Sequence, residues 1–450
     1  MKVENVTLEH KYHDAVEHWR RHHFKDYDTL LAGWEKFFPK DEKFCLCAKM
    51  ELGTPDVIHI GEQKGEQKRV NPDELTEDQA RHLLAIIKAQ ASTEFGSIQQ
   101  HAGTIDRAHD DQDRAWVLRV MAEELRHGYQ MLHLLLSKDW SHVSGGATGP
   151  QMVEEILSMT TGNHVLDAFN LDYDSFMDNI TFAAFIDRVG KYQLTMQKVC
   201  AYKPMADSMP PMLREEAFHL AAGVIPLRRF AERAAKGDPL ANLELVQQAI
   251  NKWFARGLEM FGDERGGGKN IQYGFKDLMN REAVDQYTEE CRKMVRDINT
   301  RFVRARFPGY SPDQVESAID EIERTHGSHE GLPFEAILHL PDPRFFRRKG
   351  ELAFQMIGVD GEVFTDAEEY LRYLAKHLNP GYIASRDLSL YADALRQVVA
   401  GTLTVEQGVK AMPKLKRLGG NCPCSRSVRW VMEETVGTET IETTVMARPA

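Results

Sequence analysis

The chain has 450 residues, 42% of them apolar, and its 56 Lys and Arg against 68 Asp and Glu leave a formal charge of −12. That length excludes a single small binding module, and the acidic balance argues against a sequence-independent grip on nucleic acid, which needs clustered cations to neutralise phosphates. Six cysteines are too few for a disulfide scaffold and are read as thiols, including the close pairs Cys45/Cys47 and Cys422/Cys424.

The first ten residues are too charged for the apolar part of a signal peptide, and no apolar run approaches the ~18 residues of a membrane span. The expected location is the cytoplasm, with no membrane contact. Residues 1–75 mix aromatic-rich pieces with turn signals such as Gly53-Thr54-Pro55 and read as an irregular N-terminal section. Thr76-Glu77-Asp78-Gln79 then forms a capping box with Leu75 as its staple, and apolar residues at helical spacing run from there to residue 262. Gly266-Gly267-Gly268 is expected to break the pattern, with additional helices across 263–345. From 346 to 450 a small α+β region is expected: Leu352, Phe354 and Met356 alternate toward a turn at Asp360-Gly361, and Thr365-Asp366 caps a helix that stops near Asn379-Pro380.

Four helices of the middle section carry carboxylates on their apolar stripes. Glu94 stands among Leu83, Ile87, Ala91 and Ile98, and Glu124 and His127 among Val117, Met121, Met131 and Leu135. Glu123 falls off that stripe. Asp187 lies among Phe176, Ile180, Ala183 and Leu194, and Glu216 and His219 share a face with Met209, Met212, Leu220 and Gly223. An ionised carboxylate in an apolar core costs several kcal/mol unless it is paired or holds a metal. Four carboxylates with two neutral imidazoles carry −4, which two divalent metals bring to zero. Glu-x-x-His presents an oxygen and a nitrogen ligand on one helical face. The spacing also repeats, 30 residues from 94 to 124 and 29 from 187 to 216, so each half is a carboxylate helix followed by a Glu-x-x-His helix. That is the plan of a carboxylate-bridged dimetal four-helix bundle. A third Glu-x-x-His, Glu323 to His326, has no partner helix with a matching carboxylate and reads as solvated surface.

Several segments carry a resemblance: Glu-Glu-Leu-Arg-His (123–127), Ile-Asp-Arg-Val-Gly-Lys-Tyr-Gln-Leu (186–194), Arg-Glu-Glu-Ala-Phe-His (214–219), Gly-Glu-Gln-Lys-Gly-Glu (61–66) and Leu-Pro-Asp-Pro-Arg-Phe-Phe-Arg-Arg-Lys-Gly (340–350). Over about residues 55 to 365 the chain resembles the oxygenase components of the benzoyl-coenzyme A 2,3-epoxidase family, which are ferritin-like di-iron acyl-CoA epoxidases. The first 50 residues and those after about 380 do not share the resemblance. It implies a mainly α, ferritin-like four-helix bundle with extra helices, and it implies Glu94, Glu124, His127, Asp187, Glu216 and His219 as ligands of two iron ions. It further implies O2 as co-substrate, epoxidation of the ring of an aryl-CoA thioester, and electrons from NADPH through a separate flavin and iron–sulfur reductase.

An acyl-CoA brings phosphates to an acidic protein, so local basic patches are its candidate contacts: Lys64/Lys68/Arg69, Arg301/Arg304/Arg306 and Arg344/Arg347/Arg348/Lys349. Lys64, Arg347, Arg348 and Lys349 are the expected substrate-binding residues, and Phe176, Phe182, Phe185 and Phe218 are expected to keep water from the site. The same ligand set also suits a phenylacetyl-CoA-type epoxidase, an N-oxygenase or a desaturase, a manganese centre, or a ferritin-like metal-binding protein without enzymatic activity.

Overall fold

The computed structural model describes residues 2–262, 264–346 and 356–378, together with 393, 395–404, 407 and three strands between 415 and 448. The chain opens with β1 (Lys2–Val6), α1 (His10–His23), α2 (Tyr27–Ala32), α3 (Trp34–Phe37) and β2 (Ala48–Leu52), and β1 pairs antiparallel with β2. This N-terminal section is therefore more regular than its turn-rich sequence suggests. Val16, Trp19 and Arg20 fall on one face of α1 and are buried, with the Trp19 ring 4.7 Å from Phe95.

Four long helices follow: α4 (Glu77–Ala102), α5 (Asp111–Leu136), α7 (Phe176–Gln197) and α8 (Lys203–Ala235), with the short α6 (Gly149–Ser158) between α5 and α7. Thr76 caps α4 as its sequence specifies: its hydroxyl accepts from the Gln79 amide at 3.3 Å, and Gln79 Oε1 accepts from the Thr76 amide at 3.0 Å. Ser175 and Asp178 make the same reciprocal cap at α7. Helix α4 packs on α5, α5 on α8, and α8 on α7. Two glycines let these helices approach. A Cβ at Gly128 would come within 2.9 Å of the Phe95 ring, and one at Gly223 within 2.8 Å of the Ala184 Cα. The protein is mainly helical, a ferritin-like bundle with additions.

Helix α9 (Leu243–Met260) packs on α7, and α10 (Glu264–Gln272), α11 (Asn280–Arg306) and α12 (Pro312–Thr325) follow. Gly266-Gly267-Gly268 does not interrupt the helical pattern as expected, because all three lie within α10. The small residue at 267 serves contact there, since a Cβ would come within 2.9 Å of the Asn280 amide. Beyond α12 come the two-residue strands β3 (Ser328–His329) and β4 (Leu332–Pro333), then α13 (Ala367–His377), capped by Asp366, and an antiparallel sheet of β5 (Leu415–Leu418), β6 (Val428–Val436) and β7 (Glu439–Arg448). The turn at Asp360-Gly361 is present, with Gly361 at φ 84° and Ile357 bridged to Val363. Leu352, Phe354, Cys422 and Cys424 lie outside the described residues. Cys45, Cys47, Cys200 and Cys291 are free thiols.

Candidate metal centre and its cavity

The six residues on the apolar stripes converge inside the bundle, one or two from each long helix. Glu94 of α4, Glu124 and His127 of α5, Asp187 of α7, and Glu216 and His219 of α8 are all buried. The two imidazoles lie 5.5 Å apart, and each turns Nδ1 toward the carboxylates. His127 Nδ1 lies 3.7 Å from Glu124, 3.9 Å from Glu94 and 3.9 Å from Glu216. His219 Nδ1 lies 3.3 Å from Glu124, 3.4 Å from Glu216 and 4.0 Å from Asp187. Glu124 and Glu216 thus stand between both histidines, while Glu94 and Asp187 each flank one. Donor atoms of Glu94, Glu124 and His127, and of Glu124, Glu216 and His219, form two groups close enough to hold a metal ion each.

The outward nitrogens meet two carboxylates that the stripe pattern passes over. His127 Nε2 lies 3.1 Å from Glu215 of α8, and His219 Nε2 lies 3.2 Å from Glu123 of α5. Each of these carboxylates is tied to arginine, Glu215 to Arg126 at 3.1 Å and Glu123 to Arg119 at 3.0 Å. Glu123 is not on the solvated side of its helix, as its place off the stripe implies. It is 3% exposed, because α4, α8 and β2 pack around α5 and leave that turn with no wet face. A signal was available: Glu-Glu-x-x-His occurs twice, at 123–127 and 215–219, so each ligand pair is preceded by a carboxylate aimed at the other helix's histidine.

The electrostatics call for added positive charge. Burial, and then the neighbouring Glu124, push the carboxyls of Glu94 and Asp187 well above their usual range, and burial raises Glu216 too. Burial opposes ionisation of Glu124 as well, yet Glu94, His127 and His219 around it hold its carboxyl well below the usual range. His127 resists burial through Glu124 and Glu215 and is raised to about 9, while Glu215, backed by His127 and Arg126, falls to about 2 despite its burial. Four buried atoms that face the cluster, His127 Nδ1, His219 Nδ1, Asp187 Oδ2 and Glu216 Oε2, have no hydrogen-bond partner among the described residues. Orphaned buried donors and acceptors are costly, and a metal pair satisfies all four at once. The donor set fits such a pair: four carboxylates and two imidazoles, with a carboxylate behind each imidazole, hydrogen-bonded in the case of His127.

The decoy motif behaves differently. His326 is exposed, caps α12 in a left-handed conformation and stacks on Phe334 at 4.4 Å, while Glu323 pairs with Arg296 at 3.1 Å.

A cavity of about 600 Å³ opens against Glu94, Glu124, Asp187 and Glu216. It runs between α4 and α7, and Leu83, Phe169, Phe182, Ile186 and Leu194 make much of its wall. Of the expected water-excluding rings, Phe182 lines it; Phe176 and Phe185 are buried in the core, and Phe218 lies under Arg119, 3.9 Å from the guanidinium. Among the basic patches, Lys64 is exposed and does not line the cavity, Lys68 is buried, Arg69 pairs with Glu66, and Arg301 pairs with Glu232. Arg344 pairs with Asp342 at 2.8 Å, and Arg347, Arg348 and Lys349 lie outside the described residues.

The profile of a family described as phenylacetic acid catabolic protein matches residues 70–308, a span that holds all four bundle helices and all six converging residues. The chain belongs to that family. It is similar to the benzoyl-CoA oxygenase component B of Aromatoleum evansii, with 24% identity over 341 residues that make up 69% of this chain and 70% of the relative. The family match ends at 308, before the C-terminal strands, so it covers the part of the chain that builds the cluster and its cavity. No helix among the described residues is long and apolar enough to cross a membrane.

Proposed function

We propose that this chain is the oxygenase component of a non-haem di-iron monooxygenase that epoxidises the ring of an aryl-CoA thioester, benzoyl-CoA to 2,3-epoxybenzoyl-CoA, in the aerobic catabolism of aromatic compounds in the cytoplasm. The observation that carries the reading is the junction of a two-histidine, four-carboxylate cluster with a largely apolar cavity. The name of the Aromatoleum relative supports the thioester and the oxygenase class, and its designation as a component B supports a separate electron donor. In this reading the donor is a flavin and iron–sulfur reductase using NADPH, residues 76–262 form the metal-binding unit, and 263–345 pack upon it.

Glu94, Glu124, His127, Asp187, Glu216 and His219 would hold the iron pair. When bound, two irons supply the pair of electrons that O2 needs to give one oxygen atom to the substrate and the other to water. The chain's own residues do the rest. Glu215 and Glu123, held by Arg126 and Arg119, fix the two imidazoles from behind. Phe182, Ile186 and Leu194 offer an aromatic ring a dry seat beside Asp187, excluding water that would divert the oxidant.

The test is an aerobic assay of iron-loaded protein, with reductant, against benzoyl-CoA, phenylacetyl-CoA, free benzoate and an arylamine, read by mass spectrometry. A gain of 16 mass units on benzoyl-CoA alone is expected. Oxygen on phenylacetyl-CoA in place of benzoyl-CoA marks a phenylacetyl-CoA-type epoxidase, and oxygen on the amine an N-oxygenase; either result overturns the proposal.

A further inference from the structure

The cavity is not apolar throughout. Three glutamines line it: Gln90 on α4, one turn before Glu94, and Gln193 and Gln197 on α7. All three are half-buried, and the amide oxygens of Gln90 and Gln197 have no hydrogen-bond partner among the described residues. The unpaired amide oxygens of Gln90 and Gln197 are buried acceptors in a largely apolar wall, a cost that a ligand offering N–H donors offsets. A bare aromatic hydrocarbon does not.

Their placement has a direction. Gln193 and Gln197 are four residues apart, hence on one face of α7 and about 6 Å apart along its axis. They stand six and ten residues beyond Asp187, which places them about 9 and 15 Å along the helix from the cluster. A pantetheine arm repeats polarity in the same way: two methylenes follow the thioester sulfur, then a secondary amide, two more methylenes and a second amide. With the acyl ring seated at Asp187, the arm leads along α7 with its amides at successive turns. A glutamine amide both donates and accepts, so it pairs with either edge of a secondary amide.

We propose that Gln193 and Gln197, faced by Gln90 across the cavity, form a recognition ladder for the two amides of the pantetheine arm of an acyl-CoA thioester. This rests on the thioester reading above and adds how the arm is held and which way it runs.

The experiment measures binding by calorimetry, without oxygen, using the full metal-loaded chain. Its ligands are benzoyl-CoA and the benzoyl thioester of N-acetylcysteamine, which keeps only the first amide. Gln193→Met with Gln197→Met should weaken benzoyl-CoA about tenfold, the loss of two neutral hydrogen bonds. Gln197→Met alone should weaken benzoyl-CoA while leaving the short thioester within about twofold. Metal content and melting temperature of each variant, unchanged from wild type, establish that the fold is intact. Unchanged benzoyl-CoA affinity in the double variant overturns the ladder, as does equal weakening of both ligands by Gln197→Met. A wild-type chain that binds neither thioester refutes the thioester reading itself, and the ladder with it.

Discussion

His127 on α5 meets Glu215 on α8 at 3.1 Å, through the nitrogen that faces away from the carboxylate cluster. The reciprocal contact, His219 to Glu123 at 3.2 Å, crosses between the same two helices in the opposite sense. Each Glu-Glu-x-x-His motif thus sets a carboxylate against the other helix's histidine, Glu215 as a hydrogen-bond partner of His127 and Glu123 as a buried ion-pair neighbour of His219.

A carboxylate behind a ligating imidazole typically contributes 10- to 100-fold in metal affinity. Glu215→Ala should lower affinity by that order while leaving a folded helical protein, and Glu215→Gln, which keeps an acceptor, should lose less. Competition against a chelator, with circular dichroism as the control for folding, reads the difference.

The histidines are distinguishable by the same means. His219→Ala should remove at least one of the two metals, and His326→Ala should remove none, since His326 is exposed and stacked on Phe334. Equal metal content in the two variants contradicts the assignment.

The six converging residues were legible because a carboxylate on an apolar stripe is an anomaly that periodicity exposes; Glu94 between Ala91 and Ile98 is the clearest case. Glu123 and Glu215 were not, because stripe reasoning assumes one dry face per helix. Helix α5 is buried around nearly its whole circumference between Val117 and Leu132. Likewise Gly266-Gly267-Gly268 reads locally as a breaker, and only the packing against Asn280 shows what Gly267 serves. The cap at Thr76 and the turn at Gly361 depend on neighbours in sequence and were readable directly.

Gly223 sits one turn beyond His219, where a Cβ would press on the Ala183–Ala184 backbone of α7. Backbone cannot yield as a side-chain tip does, so Gly223→Ala should destabilise the fold by about 1–3 kcal/mol despite alanine's better helix propensity. A lowered urea midpoint with an unchanged slope is the expected readout.

His164 is buried, with Nδ1 3.1 Å from the Ser92 hydroxyl and Nε2 3.0 Å from Gln99, and burial lowers its pKa to about 3. In the unfolded chain it titrates near 6.5. Between those values the unfolded state binds the extra proton, so the contribution is present above about pH 6.5 and is lost as pH falls toward 3. By pH 5 the loss amounts to about 2 kcal/mol from this residue. His164→Gln should reduce the drop in urea midpoint between pH 7 and pH 5, and an identical drop in the variant contradicts the assignment.

In the proposed reaction the six-residue cluster holds the metals that place one atom of O2 on an aryl-CoA thioester bound in the adjoining cavity. Its most direct test is a single turnover of iron-reconstituted, chemically reduced protein with benzoyl-CoA under 18O2, followed by mass spectrometry of the thioester. One 18O atom in the wild-type product, and none with Glu124→Ala, is the predicted result. An unlabelled thioester from the wild type, or equal labelling by the variant, would contradict it.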